Sequence, residues 1–239
     1  MVRFLLGLAG HSFAVECRFG STPHYCAAYP ATGPVEAVLR VTEGDLAQCQ
    51  ARLREEAAAE GLKTRQFPDP FLERAVIQEK AADYLGQFGI FLFHGSTVGV
   101  DGWAYLFTAP CGTGKSTHTR LWRQRFGDRA VMVNDDRPLL SFHDGQVLAH
   151  GTPWSGKHGL DANICLPLAG VCVLSRGKEN RIVPASREEV LPFLKSQARP
   201  QDAPLAEALS AAVPLWQMTC NQSPEAVETA YRAMARIGN

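Results

Sequence analysis

Short alternating runs of apolar and polar residues occupy the first forty-odd positions and predict strands at Phe4–Ala9, Phe13–Arg18 and Ala37–Thr42. Ser-Thr-Pro and Ala-Thr-Gly-Pro break them, so each strand is expected to be short. The pattern then changes period. An alanine- and charge-rich stretch from Asp45 to Glu60 predicts a helix stopped by Gly61. Phe67-Pro-Asp-Pro70 forms a break, and Asp69 or Pro70 opens a second helix to about Leu85, with Phe71, Leu72, Ala75, Val76 and Tyr84 at helical spacing. These pieces predict a small N-terminal α+β region over residues 1–86.

Residues 87–239 read differently. Gly89–His94 predicts a strand, and Asp101-Gly102 within Val98–Trp103 is a hairpin signal. The apolar, aromatic run Trp103–Thr108 is the second arm of that hairpin. Further strands are expected near Ala130–Val133, Leu139–Phe142, Val147–His150, Val171–Leu174 and Arg181–Val183. The last third reads as helical, with helices at Arg187–Gln197, Leu205–Ala212 and Pro224–Ile237. The fold class expected is α/β of the α+β kind, with a mixed sheet rich in antiparallel pairs. A parallel βαβ unit would deliver a strand by a helical crossover, whereas here a hairpin feeds it.

The strand Trp103–Thr108 runs into Ala109-Pro-Cys-Gly-Thr-Gly-Lys-Ser-Thr117, and Thr117–Phe126 predicts a helix. A glycine-rich turn between a strand and a helix aims backbone N–H groups at a phosphate, and the helix dipole favours the anion. Cys111, Gly112, Thr113, Gly114, Lys115, Ser116 and Thr117 are therefore the candidate nucleotide contacts. Lys115 reaches the outer phosphates, and the Ser116 hydroxyl suits the shell of Mg²⁺. The first position of the pattern is Ala109 in place of glycine. A P-loop of this kind implies ATP and Mg²⁺ as cofactors, although no base-reading motif separates ATP from GTP.

Three further segments carry chemistry. Val131-Met-Val-Asn-Asp-Asp-Arg-Pro138 ends an apolar strand in adjacent acids, Asp135 and Asp136. Such a pair is favoured by a cation between them: one carboxylate can hold Mg²⁺ and the other can take a proton from an attacking hydroxyl. His94 lies at the end of the strand before the hairpin, which brings it towards the phosphate loop. Gly151-Thr-Pro-Trp-Ser-Gly-Lys-His158 is a loop after a strand, from which Ser155 and Lys157 can face the same cleft and Trp154 can stack or exclude water.

Composition narrows the setting. The chain has 239 residues, 46% of them apolar, with 24 basic and 24 acidic side chains. That balance predicts no nucleic-acid or membrane partner. Seven cysteines without a paired CxxC spacing read as reduced thiols of a cytoplasmic protein. Phe4–Ala9 is too short for a secretory segment and reads as a first strand.

The order of His94-Gly95, hairpin, APCGTGKST and NDDRP resembles the catalytic domain of bacterial HPr kinase/phosphorylase, a fold related to phosphoenolpyruvate carboxykinase. The resemblance covers roughly residues 88–175. It implies phosphoryl transfer from a nucleotide to a hydroxyl, usually that of serine. It also implies that Lys115 and Ser116 bind phosphates and Mg²⁺, that Asp135 is the base with Asp136 on the metal side, and that His94 assists the acids. The acidic residue and arginine that the family carries after its second strand have no counterpart in GTPWSGK. Lys157 is the candidate to replace the missing positive charge.

The function expected is an ATP-dependent kinase acting on a hydroxyl of a small molecule, peptide or protein, with Asp135, His94, Lys115 and Lys157 as the catalytic set. Two alternatives stand beside it: a nucleotide-gated scaffold with little turnover, and a phosphorolytic or pyrophosphate-using phosphotransferase.

Overall fold

The computed structural model describes residues 1–59 and 63–235. It divides into two compact units, Met1–Phe88 and Gly89–Asn239. In the first unit β1 (Val2–Leu8) and β2 (His11–Cys17) form an antiparallel hairpin, and β3 (Ala37–Arg40) adds to β2 in parallel. The short helix α1 (Ser21–Tyr25) precedes β3, and α2 (Glu43–Ala59) and α3 (Asp69–Gly86) follow it. The expected stop at Gly61 lies outside the described residues.

Helix α1 falls where Ser-Thr-Pro reads as a break. Its cause is tertiary. The fully buried Glu73 of α3 accepts hydrogen bonds from the backbone N–H groups of Arg18 (2.6 Å) and Phe19 (3.3 Å) and from the Thr22 hydroxyl (2.5 Å). A carboxylate supplied from another helix thus anchors the two residues that lead into α1 and the Thr22 side chain within it.

The second unit is built on a mixed sheet. Its strands are β4 (Phe91–Leu92), β5 (Ser96–Val100), β6 (Trp103–Thr108), β7 (Ala130–Asn134), β8 (Leu139–His143), β9 (Gln146–His150), β10 (Cys165–Arg176), β11 (Arg181–Pro184) and β12 (Leu215–Cys220). The main path runs β4-β8-β9-β10-β6-β5-β7, with β12 joining β10 to β11. Within this sheet only the β10–β6 and β10–β12 pairings are parallel among the described strands. The β5–β6 hairpin turns at Asp101 (φ 52°) and Gly102 (φ 82°), as the Asp-Gly pair predicts.

Side chains alternate across β6 and so feed two cores. Tyr105 and Phe107 point to the face covered by α4 (Lys115–Phe126) and α7 (Pro224–Met234), where they meet Trp122, Phe126 and Val227. Ala104 and Leu106 point to the other face, beneath α5 (Arg187–Ser196) and α6 (Ala203–Ala212), with Leu194 and Leu209. Burying a large apolar side chain contributes about 1.5–3 kcal/mol, so these two layers hold β6, which leads into the loop, firmly in the sheet.

Two expectations need correction. The stretch Gly89–His94 forms a strand only at Phe91–Leu92, because Phe93 bridges to Ala198 and the His94 N–H donates to Gln197 O. The last third is not wholly helical: Leu215–Cys220 is a strand, paired in parallel with β10 from Val171 to Arg176. Alanine-rich flanks hide its β-branched and aromatic character in sequence. Ile237, the expected end of the last helix, lies outside the described residues. No described helix is long and apolar enough to cross a membrane.

Candidate active site

Residues Ala109–Gly114 turn the chain from β6 into α4. Gly114 caps the helix at φ 122° and ψ 25°, a conformation closed to residues with a Cβ, and offers no side chain to the first-turn amides. Those amides are left for an outside acceptor. The guanidinium of Arg176, at the end of β10, holds the back of the loop by donating to Thr113 O (3.1 Å) and Gly112 O (2.5 Å). Cys111 and Gly112 are exposed, and Thr113, Ser116 and Thr117 are half-buried.

Lys115 is buried, and its ammonium donates to Ala109 O at 3.0 Å. Burial lowers its pKa, with Arg137 adding to the effect and Cys111, Asp136 and Asp135 opposing it. An ammonium has three donors, so two remain for a ligand.

The two acids have different surroundings. Asp135 is 6% exposed; its Oδ1 accepts from Ser96 Oγ at 2.6 Å, and Ser96 Oγ meets Thr119 Oγ1 at 2.8 Å. Ser96 is on β5 and Thr119 is in α4, so this chain ties Asp135 to the helix that carries Ser116. Asp136 faces the other way, with its Oδ1 3.5 Å from His94 Nε2. Burial raises the Asp136 pKa and Asp135 adds to the rise, while Arg137 and Lys115 oppose it. Burial also pulls His94 down to about 3, helped by the charges of Arg137 and Lys115. An ion pair would shift both groups the opposite way. The contact is a neutral imidazole beside a carboxyl group.

Asn134 sets the angle between the acids. Fully buried, it donates to Thr152 O and Thr152 Oγ1 (both 2.9 Å) and accepts from the N–H groups of Asp136 (2.8 Å) and Arg137 (2.6 Å). Thr152 belongs to the GTPWSGK loop, which is thereby fastened to the acid turn. Further along that loop Gly156 has φ 69°, and a Cβ there would lie 3.1 Å from Asp136 Cβ.

Among the residues singled out from sequence, Lys115, Asp135, Asp136 and His94 are brought together. Ser155 is buried and donates to Asp161 Oδ2 at 2.8 Å, and Trp154 is buried. Lys157 is exposed, one residue beyond Gly156. Besides Lys115, the positive charge felt by His94 and Asp136, and that felt by Lys115 itself, comes from Arg137, which sequence reasoning passed over although it stands beside the acids. Ser96, Thr119, Asn134, Thr152 and Arg176 were also missed. Asn134 and Thr152 lie inside motifs already noted, and the others give no local signal.

The described residues contain no group of three or more His, Cys, Asp or Glu side chains arranged for a metal. Mg²⁺ in nucleotide sites takes one or two carboxylates and completes its shell with phosphate oxygens and water, so the hard oxygen donors of Ser116 and the acid pair suit it.

No family profile matches this chain, and no curated protein sequence matches it. Among solved structures, the Hpr(Ser) kinase/phosphatase from Coxiella burnetii is similar over 59% of this chain and 94% of its own, with 13% identity and a TM-score of 0.39. The likeness is distant.

Proposed function

We propose that the protein is a phosphotransferase that moves the terminal phosphoryl group of a nucleoside triphosphate, ATP in the first instance, to a hydroxyl. One juxtaposition carries this reading. A glycine-capped helix N-terminus with a buried lysine stands next to two acids whose environments differ.

The loop amides and Lys115 hold the outer phosphates. When bound, Mg²⁺ supplies charge neutralisation on the phosphate oxygens, held by Ser116 and one acid. The resemblance assigns the base to Asp135 and the metal side to Asp136; the local chemistry favours the reverse. Asp135 is tied through Ser96 and Thr119 to the helix bearing Ser116, which suits a metal-side ligand. Asp136 has the raised pKa, is the more exposed of the two and lies beside His94, which suits a proton acceptor.

The acceptor hydroxyl gives its proton to Asp136 as its oxygen bonds to the γ-phosphorus. The bond from that phosphorus to the β–γ bridging oxygen breaks, and the nucleoside diphosphate leaves. Neutral His94 orients the Asp136 carboxyl, and Arg137 offsets charge on the transferring group. Lys157 is left as an outer contact for the acceptor.

Incubation with γ-labelled ATP, Mg²⁺ and pools of hydroxyl metabolites and peptides tests the reading. Label is expected in an acid-stable phosphoester. Release of label only as inorganic phosphate, or no release, would refute it.

A further inference from the structure

A pocket of about 210 Å³ opens beside the phosphate loop, and neither acid nor His94 lines it. Thr113, Gly114 and Thr117 belong both to the loop and to the pocket wall, so a phosphate chain seated on the loop amides leads directly into it. The volume is below the roughly 300–1,000 Å³ of sites that enclose a whole drug-sized ligand. It suits one flat ring system whose polar tail lies outside.

The lining matches such a guest. Leu121 of α4 and the buried Leu174 of β10 give apolar walls, and half-buried Cys220 closes the end of β12. The Arg176 guanidinium is pinned by its bonds to Gly112 O and Thr113 O, so a planar cation stands at the rim without further ordering. Such planes stack on aromatic rings.

His118, 3% exposed, adds its ring to the pocket wall. Its Nε2 accepts from Trp122 Nε1 at 3.0 Å; since indole only donates, the neutral ring carries its proton on Nδ1. That nitrogen is buried and has no hydrogen-bond partner among the described residues. With less than 1 Å² of accessible surface that nitrogen does not open into the pocket, and His118 serves as part of its wall.

We propose that this pocket holds the base of the nucleotide whose phosphates occupy the loop, with Leu121 and Leu174 against the ring and Arg176 stacking at the rim. The proposal rests on reading the loop as a phosphate site, so its test uses two ligands that share phosphates and differ in the nucleoside.

Calorimetric titration of the full chain with MgADP and with magnesium tripolyphosphate separates the two ideas. Cys220→Phe extends a ring into the pocket. It is expected to weaken MgADP by about tenfold or more while tripolyphosphate binding stays within about twofold. Loss of both ligands in equal measure, or unchanged MgADP binding, would overturn the pocket assignment. Failure of the unmodified protein to bind either ligand would instead overturn the phosphate-loop reading. Photolabelling of the unmodified protein with 8-azido-ADP does not depend on the variant folding. Label is expected in the peptides containing residues 117–121, 174–177 or 220–222, and label confined to other peptides would overturn the proposal.

Discussion

Ser96 Oγ donates a 2.6 Å hydrogen bond to Asp135 Oδ1 across a fully buried contact between β5 and the acid turn. Because that proton is committed to the carboxylate, Thr119 donates to Ser96 in turn, at 2.8 Å. Asp135 is therefore fixed relative to α4 before any ligand arrives.

Removing that tie should lower turnover more than binding. A hydrogen bond to a charged group contributes about 1.5–3 kcal/mol, so Ser96→Ala is expected to reduce kcat by roughly tenfold to a hundredfold. Steady-state kinetics should show KM for MgATP changed far less than kcat. A rise in KM alone would place Ser96 in binding and not in positioning.

The two acids should separate in their magnesium dependence. Asp136→Asn is expected to keep MgATP binding and lose about a hundredfold or more in turnover, as loss of a general base does. Asp135→Asn is expected chiefly to raise the magnesium concentration needed for half-maximal rate. Magnesium titrations of both variants check this, and the opposite pattern would restore Asp135 as the base.

Stability should depend on pH through buried groups near this site. His94 and His118 are held down to about 3 and about 4, both by burial first. Their folded pKa values lie below the unfolded value, so their contribution is present above about pH 6.5 and is lost as pH falls towards the folded values. Each group adds a slope of at most about 1.4 kcal/mol per pH unit. His118→Phe should flatten the fall in thermal midpoint between pH 6.5 and 4. Asp136 has the opposite sign: with its folded pKa raised, its contribution is lost as pH rises through that value. Asp136→Asn should accordingly raise the midpoint at neutral pH, and thermal melts across this range measure both effects.

Asn134 should matter for folding more than for chemistry. Its side chain makes four hydrogen bonds in full burial, and leaving such partners unsatisfied costs about 1–3 kcal/mol each. Asn134→Ala is expected to destabilise the chain by at least about 2 kcal/mol in urea unfolding. A shift under about 0.5 kcal/mol would mean the network relaxes around the loss.

Local chemistry made much of this legible. Asp101-Gly102 signalled the hairpin because only that geometry joins β5 to β6 with little strain, and the loop glycines signalled the turn into α4 for the same reason. Strand β12 was hidden because its partner β10 lies some forty residues away, and α1 because the carboxylate that anchors the residues leading into it, Glu73, comes from another helix. The site divides similarly. Lys115, Asp135, Asp136 and His94 sit in recognisable motifs, while Thr119 and Arg176 act through contacts that only the folded sheet creates. Arg137 was overlooked because GTPWSGK drew attention to Lys157, which the fold leaves exposed.

The central claim is that a nucleotide's phosphates bind at the start of α4 against Lys115. Calorimetric titration of MgATP into the unmodified chain and into Lys115→Ala tests it most directly, with thermal melts to show that both are folded. The charged hydrogen bonds at stake amount to about 1.5–3 kcal/mol or more, so saturable one-to-one binding is predicted for the unmodified chain and binding at least about tenfold weaker for the variant. Equal affinity in the two proteins, or no saturable binding by the unmodified chain, would contradict the claim.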